Sequence, residues 1–135
     1  MVVERETKME DPVLEYMVSK HTTLTNDYKT PDEQSPEYCV SIAEQIFLLL
    51  TAQRKSPYIA KVHNKISDGK NLKNITPKAF NGRVKWGEHH VCCDGKLVYD
   101  PMVSAEPVRL EDYLKNAFEE EIKLDTWFMT LGDFF

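Results

Sequence analysis

The sequence predicts an α+β domain in which N-terminal helices pack on a small antiparallel β-sheet. Residues 36–53 carry apolar side chains at helical spacing, and residues 58–63 alternate as a strand does. An Asp94-Gly95 turn joins two further short apolar stretches, a strong hairpin signal. The 135 residues suffice for one domain with a real core. Residues 1–34 are expected to supply a helix and a loop, and residues 35–135 the functional core.

Asp11-Pro12 can cap and open a short helix through Val13, Leu14, Met17 and Val18. The polar residues 22–34, with Asn26-Asp27 and Thr30-Pro31-Asp32, read as a loop. Ser35 is a good N-cap and Pro36 suits the first helical position. Cys39, Ile42, Ala43, Ile46, Leu49 and Leu50 then share one helical face that should end near Gln53. Residues 67–83 are rich in Asn, Lys, Gly and Asp and read as a long loop, with one short element near 77–80. After the hairpin and Pro107, the residues Leu110, Tyr113, Leu114 and Phe118 trace a further amphipathic helix. A last strand is expected over 122–130, where Trp127 and Phe128 lie.

Bulk properties narrow the function. A net charge of −5 without any basic cluster argues against nucleic-acid binding. The longest apolar run, residues 46–50, is far too short to span a membrane. The first twelve residues, MVVERETKMEDP, are charged throughout and lack the apolar stretch of a signal peptide. Three cysteines without framework spacing suggest free thiols in a reducing compartment. The expected setting is the cytoplasm, or export by a route that needs no signal peptide.

The chemistry-bearing residues lie in two places. Cys39 falls in the first turn of its helix, where unpaired backbone amides and the helix dipole favour a thiolate, the reactive form. By position alone it reads as a small core residue beside Ile42, Ala43 and Ile46. The hairpin WGEHHVCCDGKLVYDP, residues 86–101, changes that reading. A tight turn centred on Asp94-Gly95 pairs Cys93 with Lys96, Val91 with Val98 and His89 with Asp100. Directly paired residues share a face, with Cβ atoms about 4.5–5.5 Å apart. A carboxylate so placed can hold one imidazole nitrogen and leave the other to take a thiol proton. A three-residue turn would instead bring His90 to the face of Asp100, so either histidine can be the base.

A metal site is the rival reading of the same cluster. Adjacent strand residues point to opposite faces, so His89 with His90, or Cys92 with Cys93, cannot easily share one ion. No C-x-x-C pair exists in the chain, and neither metal nor cofactor is expected. His21, in the predicted loop, and His63, near a strand end, read as solvated. Trp86, Trp127 and Tyr113 read as core.

A cysteine opening a long helix, a histidine on a strand some fifty residues later, and a following strand ending in Tyr-Asp-Pro together resemble the papain-like cysteine hydrolase superfold. More narrowly, Tyr38-Cys39-Val40-Ser41-Ile42-Ala43-Glu44, the segment HHVCCDGKLVYDP and Pro107-Val-Arg-Leu-Glu-Asp-Tyr-Leu114 look like the small papain-fold toxin and effector domains of bacteria. The resemblance covers residues 36 to 118. It implies a peptidase or glutamine deamidase without a cofactor, acting on a protein or peptide. Cys39 would be the nucleophile, His89 or His90 the base and Asp100 its orienter. It also implies an oxyanion role for Gln34, five residues before the nucleophile. A papain-like binding module without turnover is the alternative.

Overall fold

The computed structural model describes residues 11–27, 36–68, 70–82 and 84–128. Helix α1 runs from Pro12–Asp27. Its N-terminus is capped by Asp11, whose Oδ1 accepts from the amides of Val13 (3.1 Å) and Leu14 (3.2 Å). Val13 and Met17 are buried as the apolar spacing requires. The helix extends well past the short segment expected, into residues read as loop. Residues 19–27 are polar apart from Leu24 and contain neither Gly nor Pro, so nothing in them stops a helix. A tertiary contact also supports this stretch, since His21 Nδ1 lies 2.8 Å from the carbonyl oxygen of Pro101.

Helix α2, Pro36–Ala52, carries the main apolar stripe. Cys39, Ile42, Ala43, Ile46, Phe47 and Leu50 are buried, whereas Leu49 is only partly covered. The buried face is thus rotated slightly toward Phe47 from the expected one. The helix ends in a Schellman motif. Arg54 takes a left-handed φ of 63°, its amide bonds to Thr51 O, and the Lys55 amide reaches back to Leu50 O. The expected N-cap, Ser35, lies outside the described residues. Truncating a fully buried stripe residue such as Ile46 to alanine costs about 2–5 kcal/mol.

Five antiparallel strands form one sheet in the order β4-β3-β2-β1-β5. They are β1 (Tyr58–Asn64), β2 (His89–Cys93), β3 (Leu97–Tyr99), β4 (Val108–Arg109) and β5 (Ile122–Phe128). Helix α3, Leu110–Asn116, follows β4 directly. The expected helix ran on to Phe118, but Phe118 instead bridges to Pro77. Residues 129 and 130, the end of the expected last strand, lie outside the described residues. The two-residue strand β4 has no sequence signal, being too short for any alternation to show.

The segment read as a long loop is more ordered than its composition implies. It holds the expected short element, a 3-10 turn over Lys78–Phe80, and two bridges, Ile75 to Trp86 and Pro77 to Phe118. The Glu120 carboxylate accepts from both the amide (2.6 Å) and hydroxyl (2.8 Å) of Thr76. These contacts present Trp86 to the start of β2. Among the described residues, the buried apolar side chains form one cluster, and no helix is long and apolar enough to cross a membrane.

The hairpin between β2 and β3 departs from the expected register. Cys92 pairs with Tyr99 and Cys93 with Val98. The two turn residues are therefore Gly95 and Lys96, flanked by Asp94, whose amide bonds to Leu97 O. The side chain of Asp94 explains the displacement. Its Oδ1 accepts from the amides of Lys96 (3.0 Å) and Leu97 (2.9 Å), and its Oδ2 from the Tyr99 hydroxyl (2.8 Å). Asp94 thus caps the turn from its first corner and leaves Gly95, at a φ of 94°, to take the left-handed position. The shift moves each pairing by two residues, which preserves faces. His89 and Asp100 still lie on one side of the sheet, as diagonal rather than direct neighbours.

Candidate active site

Strand β2 begins at His89, and the first turn of α2 packs against its start. This brings Cys39 to both histidines across fifty residues of sequence. The Cys39 Sγ lies 3.7 Å from His90 Nδ1, and the thiol is close enough to His89 for each to shift the other's ionisation. His89 in turn donates from Nε2 to Asp100 Oδ2 at 2.8 Å. The expected set of Cys39, His89, His90 and Asp100 therefore meets at one place. Gln34 lies outside the described residues.

Asp100 closes β3 and is held from three sides. The Tyr113 hydroxyl on α3 donates to Oδ2 at 2.7 Å, and the Met102 amide to Oδ1 at 3.1 Å. Its carbonyl also accepts from the amides of Val103 and Ser104, which makes the chain turn at this point. The result is a buried polar chain from Tyr113 through Asp100 and His89 to Cys39. Each member is at most 4 % exposed, so water cannot compete for these bonds.

Aromatic rings fix the two imidazoles differently. The indole of Trp86 stacks on His89 with centroids 4.4 Å apart and planes 25° apart, while Phe118 meets it edge-on. Trp86 Nε1 has no hydrogen-bond partner among the described residues, which marks the indole as placed for packing. His90 instead meets Trp127 of β5, at 4.4 Å and a tilt of 51°. Trp127 is 41 % exposed, so the His90 side of the site is the side nearer to solvent. Among the described residues no carboxylate is hydrogen-bonded to His90, in contrast to His89.

The electrostatics follow from these neighbours. Burial by itself pushes the Cys39 thiol up, but hydrogen bonds from both histidines and the positive charge of His89 outweigh it and hold the thiol at about 6. Burial likewise opposes charge on His89. The Asp100 carboxylate, by charge and hydrogen bond, and then Cys39 override that and raise the imidazole to about 10. At neutral pH the arrangement is a thiolate beside an imidazolium, the activated form of a cysteine nucleophile.

The other cysteines show the opposite behaviour. Cys92 and Cys93 are buried in β2, and burial together with neighbouring negative charge pushes the first well up and the second to about 12. Of the remaining histidines, His21 is half-buried on α1 against Pro101, and His63 pairs with the exposed Asp125 at 2.6 Å. Among the described residues no group of three or more His, Cys, Asp or Glu side chains is disposed to hold a metal ion. A cavity of about 770 Å³ lies at the far end of the hairpin, lined by Gly95, Lys96, Leu97, Arg109, Leu110 and Leu114 among others, and includes none of the site residues.

Three site residues were read from sequence as core alone: Trp86, Tyr113 and Trp127. Trp86 and Tyr113 are buried in the core, whereas Trp127 is not, being 41 % exposed, and each of the three touches an ionisable side chain of the site. Only Tyr113 carried a usable signal, since a tyrosine on an apolar helical stripe needs a partner for its hydroxyl once buried. Comparison with protein-family models, with curated proteins and with solved structures gives no match to this chain.

Proposed function

We propose that the protein is a cofactor-free cysteine hydrolase built on a papain-like plan, acting on a peptide bond or a glutamine side-chain amide. The observation that carries this reading is the buried chain from Cys39 through His89 to Asp100, with the thiol lowered to about 6 and the imidazole raised to about 10. A cysteine at the start of a helix, followed in sequence by a histidine and an acid on adjacent strands, supports the papain-like assignment. The family resemblance adds the substrate class, protein or peptide, and a toxin or effector setting.

Each residue has a role that its surroundings suit. The Cys39 thiolate attacks the substrate carbonyl carbon, and the carbonyl oxygen takes the negative charge. Cys39 lies in the first turn of α2, so the positive end of the helix dipole lies near this charge and favours it. His89 keeps Nε2 on Asp100 and transfers its other proton, from Nδ1, to the departing amine or ammonia. The same imidazole, now neutral, takes a proton from water. The hydroxide equivalent so formed attacks the thioester carbon and releases the acid and the free thiol.

The test is to assay ammonia release and peptide cleavage on a protein pool, comparing the wild-type chain with Cys39→Ala. Activity that survives in the variant overturns the assignment. One observation favours a second reading, a papain-like binding module without turnover: Cys39 is only 3 % exposed. An iodoacetamide probe at pH 7 separates the two, because a nucleophile is labelled in the folded protein and a sealed thiol is not.

A further inference from the structure

The sequence doubles the histidine, and the base role uses only one of them. His89 has the acid, the indole stack and the fully enclosed position. His90 has none of these, yet its Nδ1 lies 3.7 Å from the sulfur. The contact is long for a bond to a thiolate, and catalytic hydrogen bonds commonly stay long until substrate is present. His90 lies beside the partly exposed Trp127, on the side of Cys39 nearer to solvent.

Charge moves during acylation, and a donor near the sulfur is placed to follow it. Before attack the negative charge is on Sγ. Once the sulfur–carbon bond forms, sulfur is neutral and the charge sits on the former carbonyl oxygen, two bonds away. An imidazole N–H that rests loosely on Sγ then has a stronger acceptor within reach. Oxyanions in acyl transfer are commonly held by more than one donor. We propose that His90 is a catalytic residue in its own right, an oxyanion donor through Nδ1, and that the two adjacent histidines divide the work between proton transfer and charge stabilisation. This rests on the cysteine-hydrolase reading above.

Two probes separate the roles. Iodoacetamide reacts with a thiolate by displacement at a saturated carbon and forms no oxyanion. p-Nitrophenyl acetate is attacked at its carbonyl, passes through an oxyanion, and expels p-nitrophenolate to leave acetyl-Cys39. That leaving group needs no proton, so this acylation does not depend on His89 as an acid. Both rates are measured at pH 8, where Cys39 is ionised, after subtracting a Cys39→Ala blank.

His90→Phe keeps a ring against Trp127 and removes both nitrogens, with His90→Ala as a second donor-free variant should phenylalanine perturb the thermal melt. Acylation is expected to fall on the order of 100-fold while alkylation changes less than about threefold. His90→Asn puts an amide N–H near the place of Nδ1 and is expected to recover most of the loss. Equal losses in both reactions, a retained acylation rate, or Asn as slow as Phe would each overturn the proposal. If wild-type Cys39 reacts with neither probe, the hydrolase reading itself falls, and the two failures are thereby distinct.

Discussion

Cys39 and the adjacent Cys92 and Cys93 are buried to nearly the same depth, 3 %, 0 % and 1 % exposed, yet their thiols are driven in opposite directions. All three touch β2, one at its start and two at its end. Burial alone acts the same way on each, against the thiolate. What differs is company. The start of β2 offers two imidazoles to the thiol, whereas its end offers neighbouring carboxylates and a second thiol. Depth in the core therefore says little about whether a cysteine is reactive, and the sign of the nearest charges decides it.

The largest test of this contrast is to exchange which thiols remain. Cys39→Ser should abolish iodoacetamide labelling at pH 7, and a Cys92→Ser, Cys93→Ser double variant should retain it, as read by mass spectrometry of the folded protein. Labelling of Cys92 or Cys93 ahead of Cys39 would reverse the comparison.

Removing the imidazole with His89→Ala should move Cys39 toward its companions. A thiol returned to its ordinary 9.0 is about 100-fold less ionised at pH 7 than one at 6. A thiolate of higher pKa is also intrinsically faster, by roughly 20-fold over three units. The rate at pH 7 therefore falls only about fivefold, and the midpoint of the pH profile is the clearer readout. It should move from near 6 toward 9, and a midpoint that stays near 6 would assign the base role to His90.

Unfolding followed across pH tests the pair from both sides. His89 is raised, so its contribution to stability is complete below its ordinary 6.5 and fades as pH rises through about 10. Cys39 is lowered, so its contribution is complete above its ordinary 9.0 and fades as pH falls through about 6. The thiolate–imidazolium pair occupies the window between about 6 and 10, and Cys39→Ala should flatten the stability profile near its acid edge. A profile unchanged there would show that the pair does not form.

The smallest effect is expected from Tyr113→Phe, which removes one of three donors to Asp100 and leaves the ring packed. The Cys39 midpoint should shift by less than about one unit, since the bond from His89 to Asp100 remains. A shift as large as that of Asp100→Asn would make Tyr113 the main determinant of the carboxylate's position.

Much of the site was legible in the chain because its clues are local. The helical period around Cys39 placed the thiol in a first turn, and strand alternation put one of the two histidines on the face of Asp100, with the turn length deciding which. Of the two alternatives, the two-residue turn had His89 there, and it keeps that face although the Asp94 side chain displaces the register by two residues, since an even shift keeps faces. The polar end of α1 was misread for a related reason. Composition described residues 22–27 as a loop, while the absence of a helix breaker and the contact of His21 with Pro101 let the helix continue.

By itself the sequence determined the principal element types, a cysteine at a helix start and a choice of two histidines for the face of Asp100, all set by spacings of two to four residues. Only the tertiary structure decided that α2 meets the first residues of β2, that Tyr113 reaches Asp100, and that Trp86 and Trp127 take one histidine each. Those pairs are separated by 3 to 51 positions, but each depends on how whole elements pack, which no short-range period encodes. The acidity of Cys39 belongs to this second group, because burial and charge oppose each other there and only distances in the folded chain settle which prevails.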